Sequence, residues 1–332
     1  MFVVRRSEAG RSLFDLLRAH FHLTPNDVVS LLQSRSIWVN GRLCVDRKWR
    51  VQPGQRVRVR FADTSLKRTR IDAERSNSQK RSKLLPSIAP PTIRYIDDSV
   101  VVVEKPAGLT TMRHAEEAAE FGTRARKFLP PTLADLLPAA IAQKQRHGPA
   151  AVRAVHRLDK DTSGLVVFAR TVDAESNLGR QFRAHTIART YLAVVRGQAK
   201  DQRIESWIVR DRGDGRRGSA GQAGQGQRAV THVRVRERLG DFSLVECRLE
   251  TGRTHQVRIH LAEAGTPLCG ERIYDRPLHG APAPDRSGAE RIALHAATLG
   301  FEHPHTKKRC VWHSPLPEDM VQLIARLRTR SR

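Results

Sequence analysis

The stretch Val155-His156-Arg157-Leu158-Asp159-Lys160-Asp161-Thr162-Ser163-Gly164-Leu165-Val166-Val167-Phe168-Ala169-Arg170 reads as two halves. Leu165 to Ala169 is an unbroken apolar run of strand length, rich in Val and opened by Gly164. It predicts a strand buried on both faces. Ahead of it, His, Arg, Asp, Lys, Asp, Thr and Ser crowd together, and the short Thr162 and Ser163 side chains can bond neighbouring backbone groups in a turn. The pattern predicts a tight polar loop at the end of a rigid strand, a support on which catalytic groups hold their position. Asp159 is the carboxylate to single out: lying between Arg157 and Lys160, it is kept ionised and available as a nucleophile. On these residues alone, a structural ion pair between Asp159 and Arg157 is the competing reading.

The spacing His-Arg-Leu-Asp-Lys-Asp-Thr-Ser-Gly-Leu resembles the active-site signature of the RluA-type family of RNA pseudouridine synthases. The resemblance continues through Arg189-Thr190-Tyr191, Thr251-Gly252-Arg253-Thr254-His255-Gln256-Val257-Arg258 and Leu294-His295-Ala296, and covers about residues 93–316. It implies that Asp159 is the catalytic residue, that Tyr191 stacks on the target base, and that Arg258 partners the catalytic carboxylate. It also places Lys105-Pro106-Ala107-Gly108 at the end of an early strand lining the cleft, with the Lys105 charge at its mouth. His156, Arg157, Thr162, Ser163, Gly164, Gly252, Arg253, Thr254, His255 and Gln256, with Lys105 and Pro106, are the expected substrate-binding residues. No metal is expected: His156, His255, His260 and His295 lack metal-site spacing, and the family uses none.

A chain of 332 residues has room for two domains, and 39% hydrophobic residues support a genuine core. The formal net charge of +25 favours a polyanionic partner, nucleic acid first, while saying nothing of the reaction. Cys44, Cys247, Cys269 and Cys310 are scattered, with no paired spacing, and read as reduced thiols. With neither a signal-peptide pattern nor an apolar run of spanning length, the expected location is the cytoplasm, without membrane association.

Ser12 with Asp15, followed by Leu13, Leu16 and Leu17 on one face, predicts a capped helix. Thr24-Pro25 opens a second, carrying Val28, Val29, Leu31 and Leu32. Ile37-Trp38-Val39-Asn40-Gly41-Arg42 predicts a hairpin, and residues 51–59 a turn and a basic strand. This order resembles the S4 RNA-binding module, which implies that Arg18, Arg35, Arg42, Lys48 and Arg50 face phosphates. The expected organisation is an S4-like α/β domain over residues 1–61, a basic linker over 62–91 and a catalytic domain over 92–332.

Within the larger region, strands are expected at 93–96 and 100–104, a short helix from Thr132, and a helix from a capping Asp173 to about Thr186. Residues 212–228, rich in Gly, Arg and Gln, predict a mobile loop or a long hairpin tip. A turn at 251–256 enters a helix closed by Gly265, and an amphipathic helix spans 317–327. The fold implied is α+β: a mixed, largely antiparallel sheet with helices flanking a central RNA cleft.

The implied reaction detaches uracil at its glycosidic nitrogen and rejoins it through carbon 5. It has no redox step and adds no external group, so no cofactor is expected. Its carboxylate can act at the anomeric carbon, as those of glycoside hydrolases do, add to carbon 6, or abstract a sugar proton. Ribosomal RNA is the expected partner ahead of transfer RNA, and a monomer the expected state. The rival readings are a non-catalytic RNA-binding or ribosome-assembly protein and a base-releasing RNA glycosidase.

Overall fold

Val100–Val103 and Leu165–Ala169 are apolar on both faces because each lies in the middle of a sheet covered on both sides. The computed structural model describes residues 2–4, 8–21, 28–29, 31–32, 36–44, 46, 49–59, 91–113, 129–144, 151–222 and 224–330. Its contacts divide the chain into two units, Met1–Ser87 and Ile88–Arg332.

In the first unit, β1 (Phe2–Val3), β2 (Ile37–Val39), β3 (Arg42–Leu43) and β4 (Arg56–Val59) form an antiparallel sheet in the order β1-β4-β2-β3. Helix α1 (Leu13–Phe21) begins where expected: the Asp15 backbone N–H donates to Ser12 Oγ at 3.1 Å, and Ser12 Oγ donates to the Asp15 carboxylate at 2.6 Å. Leu13, Leu16 and Leu17 are buried with Val28, Leu31, Leu32, Ile37 and Val57. Asn40 (φ 49°) and Gly41 (φ 80°) make the tight β2–β3 turn, both left-handed as a two-residue hairpin requires. The start of the second expected helix, Arg35, Lys48 and the linker over 62–90 lie outside the described residues.

The second unit holds an eleven-stranded sheet. Its strands are β5 (Thr92–Ile96), β6 (Val100–Lys105), β7 (Arg153–Ala154), β8 (Ser163–Ala169), β9 (Ala188–Arg196), β10 (Gln202–Val209), β11 (Gly218–Ser219), β12 (Gln227–Leu239), β13 (Phe242–Leu249), β14 (Leu294–Glu302) and β15 (Arg309–His313). The main path runs β11-β10-β12-β13-β9-β14-β8-β6-β5, with β15 on β14 and β7 on β8. Every pairing is antiparallel except β14 with β8.

Alternate residues of β6 and β8 serve opposite faces, as a two-residue period requires. Val101, Val103, Val166 and Phe168 pack with α2 (Leu133–Lys144) and with Val257 and Leu261 of α4 (Gln256–Glu263). Val100, Val102, Leu165 and Val167 pack with Ala174 and Leu178 of α3 (Val172–Arg183). Helix α5 (Glu318–Arg330) buries Met320, Leu323, Ile324 and Leu327 beside Val194 of β9.

Two local expectations change, and a third is decided between its alternatives. The cap of α3 is Thr171, whose Oγ1 accepts from the Ala174 backbone N–H; Asp173 sits in the first turn. Helix α2 runs on through Pro138, twelve residues in all, because Leu133, Leu137 and Ile141 bury one stripe against the sheet. The segment over 212–228 forms the tip of the β10–β12 hairpin, where Asp214 accepts from both Arg212 and Arg216. Arg212 and Arg216 also donate to the carbonyls of Arg276 and Ile273, so this tip is tied to the loop after α4.

Candidate active site

The loop over residues 155–162 has little regular structure, so its backbone groups need partners from elsewhere. Leu158 is buried, and its backbone N–H and carbonyl both bond Thr111 Oγ1, at 3.1 and 2.8 Å. Lys105 Nζ donates to the carbonyls of Pro106, Leu109 and Lys160 at 2.7–2.9 Å. Arg291 donates to the Asp161 carbonyl and to Ser163 Oγ, both at 3.2 Å. Gly164 (φ 115°) lies where β8 meets β14, and a Cβ there would run into the Ala296 backbone. Between these anchors Asp159 projects from a fixed backbone.

Helix α4 brings Arg258 to that carboxylate. Its Nη1 lies 3.4 Å from Asp159 Oδ2, while Nε and Nη2 donate to the two oxygens of Glu271, each at 2.7 Å. Glu271 Oε1 also accepts backbone N–H groups of Arg272, Ile273 and Tyr274. Burial alone would lower the Arg258 pKa, but the hydrogen bonds and charge of Glu271, with Asp159, raise it. Burial alone would raise that of Glu271, yet Arg258 and the backbone donors leave it below the ordinary carboxylate range. Glu271 therefore fixes the guanidinium, and the guanidinium aims Asp159. A second group approaches from the helix entrance: His255 Nε2 is 3.8 Å from Asp159 Oδ1, and its Nδ1 is 2.7 Å from the Tyr274 hydroxyl. Burial pulls the His255 imidazole below its ordinary value and pushes the Tyr274 phenol up to about 12.

These groups open onto a cleft of about 510 Å³. Its walls include Asp159, Tyr191, Arg258, His156, Arg157 and Thr162, together with Gly252, Arg253, Thr254, His255 and Gln256. The fold thus brings together the three expected catalytic residues and most of the expected binding residues. Tyr191 is buried, and burial followed by the Asp159 charge raises its pKa against the opposing pull of Arg189. Gln256 is fully engaged, bonding Thr251, Arg253, Val230 and Thr231, so it shapes the turn. His156 Nε2 accepts the Val167 N–H at 3.0 Å and its ring stacks on Phe182, an arrangement that requires a neutral ring; burial lowers its pKa to about 3.

Lys105, Pro106, Ser163 and Gly164 do not line the cleft. Lys105 places no charge at the mouth. Three carbonyls converge where its flexible stem ends, so the ammonium is buried and braces the loop, and burial lowers its pKa to about 7. Ser163 is turned inward to His295 Nδ1 at 3.0 Å.

Four participants escaped the sequence reading: Glu271, Tyr274, Arg291 and the role of Arg189. For Glu271 a signal existed, because an arginine between Val257 and Ile259 of a buried helix requires a carboxylate. Arg189 lies over the Phe182 ring, and its Nη1 occupies the space where a Gly252 Cβ would stand. Its guanidinium reaches the Glu250 carbonyl, but its buried Nε has no partner among the described residues.

The family model for RNA pseudouridylate synthase matches residues 99–263. "Ribosomal large subunit pseudouridine synthase D" of Nitrosomonas europaea is 38% identical over 248 residues, covering 72% of this chain and 66% of that protein. The protein of the same name from Xanthomonas campestris pv. campestris is 38% identical over 252 residues, covering 74% and 72%. The chain thus spans about two thirds of the length of such curated relatives. Among solved structures, "Human RNA Pseudouridylate Synthase Domain Containing 4" superposes with a TM-score of 0.57 at 22% identity, over 77% of this chain and 98% of that one, a likeness of fold. With a strand-mounted Asp159 aimed by a buried arginine, and with these matches along the same residues, the chain belongs to the RluA-type RNA pseudouridine synthase family.

Proposed function

We propose that this chain isomerises uridine to pseudouridine in RNA, with Asp159 as the carboxylate that meets the target nucleotide. The observation that carries this reading is the chain Glu271–Arg258–Asp159, which holds one carboxylate oxygen 3.4 Å from a locked guanidinium inside a cleft of about 510 Å³. The uridine must first leave its stack, at a cost of about a few kcal/mol. Stacking on Tyr191, worth ~1–3 kcal/mol, offsets part of that cost. Phosphate contacts from the cationic rim supply the rest. The closed floor keeps the freed uracil beside the sugar and excludes water, so that rejoining outruns hydrolysis.

Large-subunit ribosomal RNA is the substrate that the relatives' names suggest. The helix-and-hairpin unit at the N-terminus is proposed as an S4-like RNA-binding domain over residues 1–61, joined by a linker over 62–91 to the catalytic domain over 92–332. In that unit Arg18 is exposed, while Arg50 donates to the Gly10 carbonyl and so contributes to local structure as well as to charge. The proposed form is a cytoplasmic monomer. Its four cysteines are free, and among the described residues no helix is long and apolar enough to cross a membrane. Incubating the protein with large-subunit ribosomal RNA and analysing the products tests the reading. Pseudouridine supports it; unchanged RNA or free uracil overturns it in favour of a binder or a glycosidase.

A further inference from the structure

On the face of the sheet away from the cleft, three arginines border a cavity of about 430 Å³ that the isomerisation does not use. Strand β9 alternates its side chains between the two faces. Tyr191, Ala193 and Val195 serve the cleft side, and Val194 packs with Leu239, Leu323 and Leu327 on the other. Arg196 ends β9 with the parity of Val194, so it belongs to the α5 side. The cavity and the cleft share no lining residue among those described. We propose that this cavity is a second binding site, which takes a nucleotide by its phosphate and its planar base.

The unfinished bonding of Arg196 is the first argument. The residue lines the cavity and is only 8% exposed. Its Nη1 donates to the Ala283 carbonyl at 2.6 Å, but the buried Nε and Nη2 have no partner among the described residues. Nε and Nη2 form one edge of the guanidinium fork, the same edge by which Arg258 grips Glu271. Asp285 does not fill it: its oxygens accept the backbone N–H groups of Gly270 and Ser287. Burial would raise the Asp285 carboxyl, but those hydrogen bonds, with the Arg196 charge, hold it below the ordinary range. A buried cation with an idle edge is unfavourable until an anion completes it. Phosphate oxygens match that edge in bidentate fashion.

The surroundings are the second argument. Phe242 of β13 stands directly opposite Arg196 in the β9–β13 pairing, so its ring shares that face. Leu239 and Leu327 add apolar wall, and Arg286 and Arg330 bring two further cations. Arg330 Nη1 donates to the Arg286 carbonyl at 3.0 Å, which fastens the end of α5 to the loop carrying Arg286. Against three cations stands one acid, Asp241 in the β12–β13 turn, an acceptor suited to a sugar hydroxyl. A volume of about 430 Å³ falls in the range of small-ligand sites, and a bare anion would leave the ring and aliphatic walls uncovered. A base joined to a phosphate uses both parts. A free nucleotide and a strand of RNA carry the same two groups.

Calorimetric titration of the full chain with adenosine 5′-monophosphate tests the site without turnover, since adenine is not the base that the isomerase rearranges. Arg196→Met keeps an apolar stem and removes the fork, and binding is expected to weaken by ~10–100-fold. Arg330→Gln, at an exposed position, should weaken it by ~2–5-fold, and Arg183→Gln at the cleft rim should leave it unchanged. Without ligand, Arg196→Met should unfold at the same denaturant concentration as wild type or a higher one, because the idle buried charge is gone. If that variant does not fold, the Arg330→Gln and Arg183→Gln titrations decide by themselves. A short oligoadenylate separates the sources. Binding tighter than that of the mononucleotide, and lost in Arg196→Met, identifies an RNA strand; weaker binding identifies a free nucleotide. Sulfate held as tightly as the nucleotide would mean an adventitious ion only. That result, equal nucleotide affinity in wild type and the cavity variants, or an equal loss in Arg183→Gln, would overturn the proposal.

Discussion

The floor and the rim of the cleft are built on opposite principles. At the floor, Arg258 is buried, paired in bidentate fashion with Glu271 and backed by Tyr274, with its centre 5.2 Å from the tyrosine ring. At the rim, Arg157 and Arg183 are exposed and Arg253 is half-buried. Neighbouring Arg189, Arg253 and Arg228 add to burial in lowering the His185 pKa, a sign of the positive field there. A buried charge without its partner is strongly destabilising, whereas exposed charges are screened by salt. The floor is therefore expected to control chemistry and stability, and the rim affinity and its salt dependence.

The sharpest way to break this division is Asp159→Asn. Pseudouridine formation is expected to fall by ~10⁴-fold or more, as when a nucleophile is removed, while RNA binding in a filter or gel assay stays near wild type. Retained turnover would sink the assignment of the floor. Glu271→Gln leaves the buried Arg258 with only its 3.4 Å contact to Asp159 as a charged partner, with an expected cost of ~3–5 kcal/mol in a denaturant titration. Activity should fall with it, since the guanidinium no longer aims Asp159. A variant as stable as wild type would show that the pairing at the floor is dispensable.

The next effect is set by pH. His156 is held neutral with a pKa of about 3, against ~6.5 in an unfolded chain. Between those values the unfolded state binds more protons, so this group makes stability rise with pH through the window and level off above it. Wild type is expected to unfold at lower denaturant at pH 5 than at pH 7.5. In His156→Gln that gap should narrow; an unchanged gap would place the acid sensitivity elsewhere.

At the rim, Arg183→Gln should leave the fold intact, weaken RNA binding across sequences and reduce the slope of log affinity against log salt by ~0.7–0.9 for the lost contact. An unchanged slope would remove Arg183 from the phosphate surface. The smallest effect is expected far from the cleft. Arg328 pairs with Glu237 at 2.6 Å, but Arg328 is exposed and Glu237 only half-buried, and Arg328→Ala should change stability by ~0–1 kcal/mol in the same titration.

Legibility follows the same division. Asp159, Tyr191 and Arg258 are legible through the resemblance of their motifs to the family's, and the cleft contains all three. The charge expected of Lys105 at the mouth is absent there, because a Lys ahead of a Pro-x-Gly turn says nothing about which carbonyls will surround it. Glu271 went unassigned because its partner is thirteen residues away and reached only through the turn after α4. The α3 cap moved to Thr171 because Thr and Asp both suit a helix start, and local sequence does not rank them.

The chain by itself determined the buried β8 strand, the loop ahead of it, the Ser12 cap and the Asn40-Gly41 turn. Each depends on neighbours a few residues apart, whose sterics and hydrogen bonds are set locally. Only the tertiary structure decided that Arg258 would meet Asp159 across 99 residues, that Glu271 would lock it, and that Lys105 would turn inward. Those partnerships depend on strand order and on which backbone carbonyls and charges remain to be satisfied once the sheet has closed around them, and no local pattern encodes either.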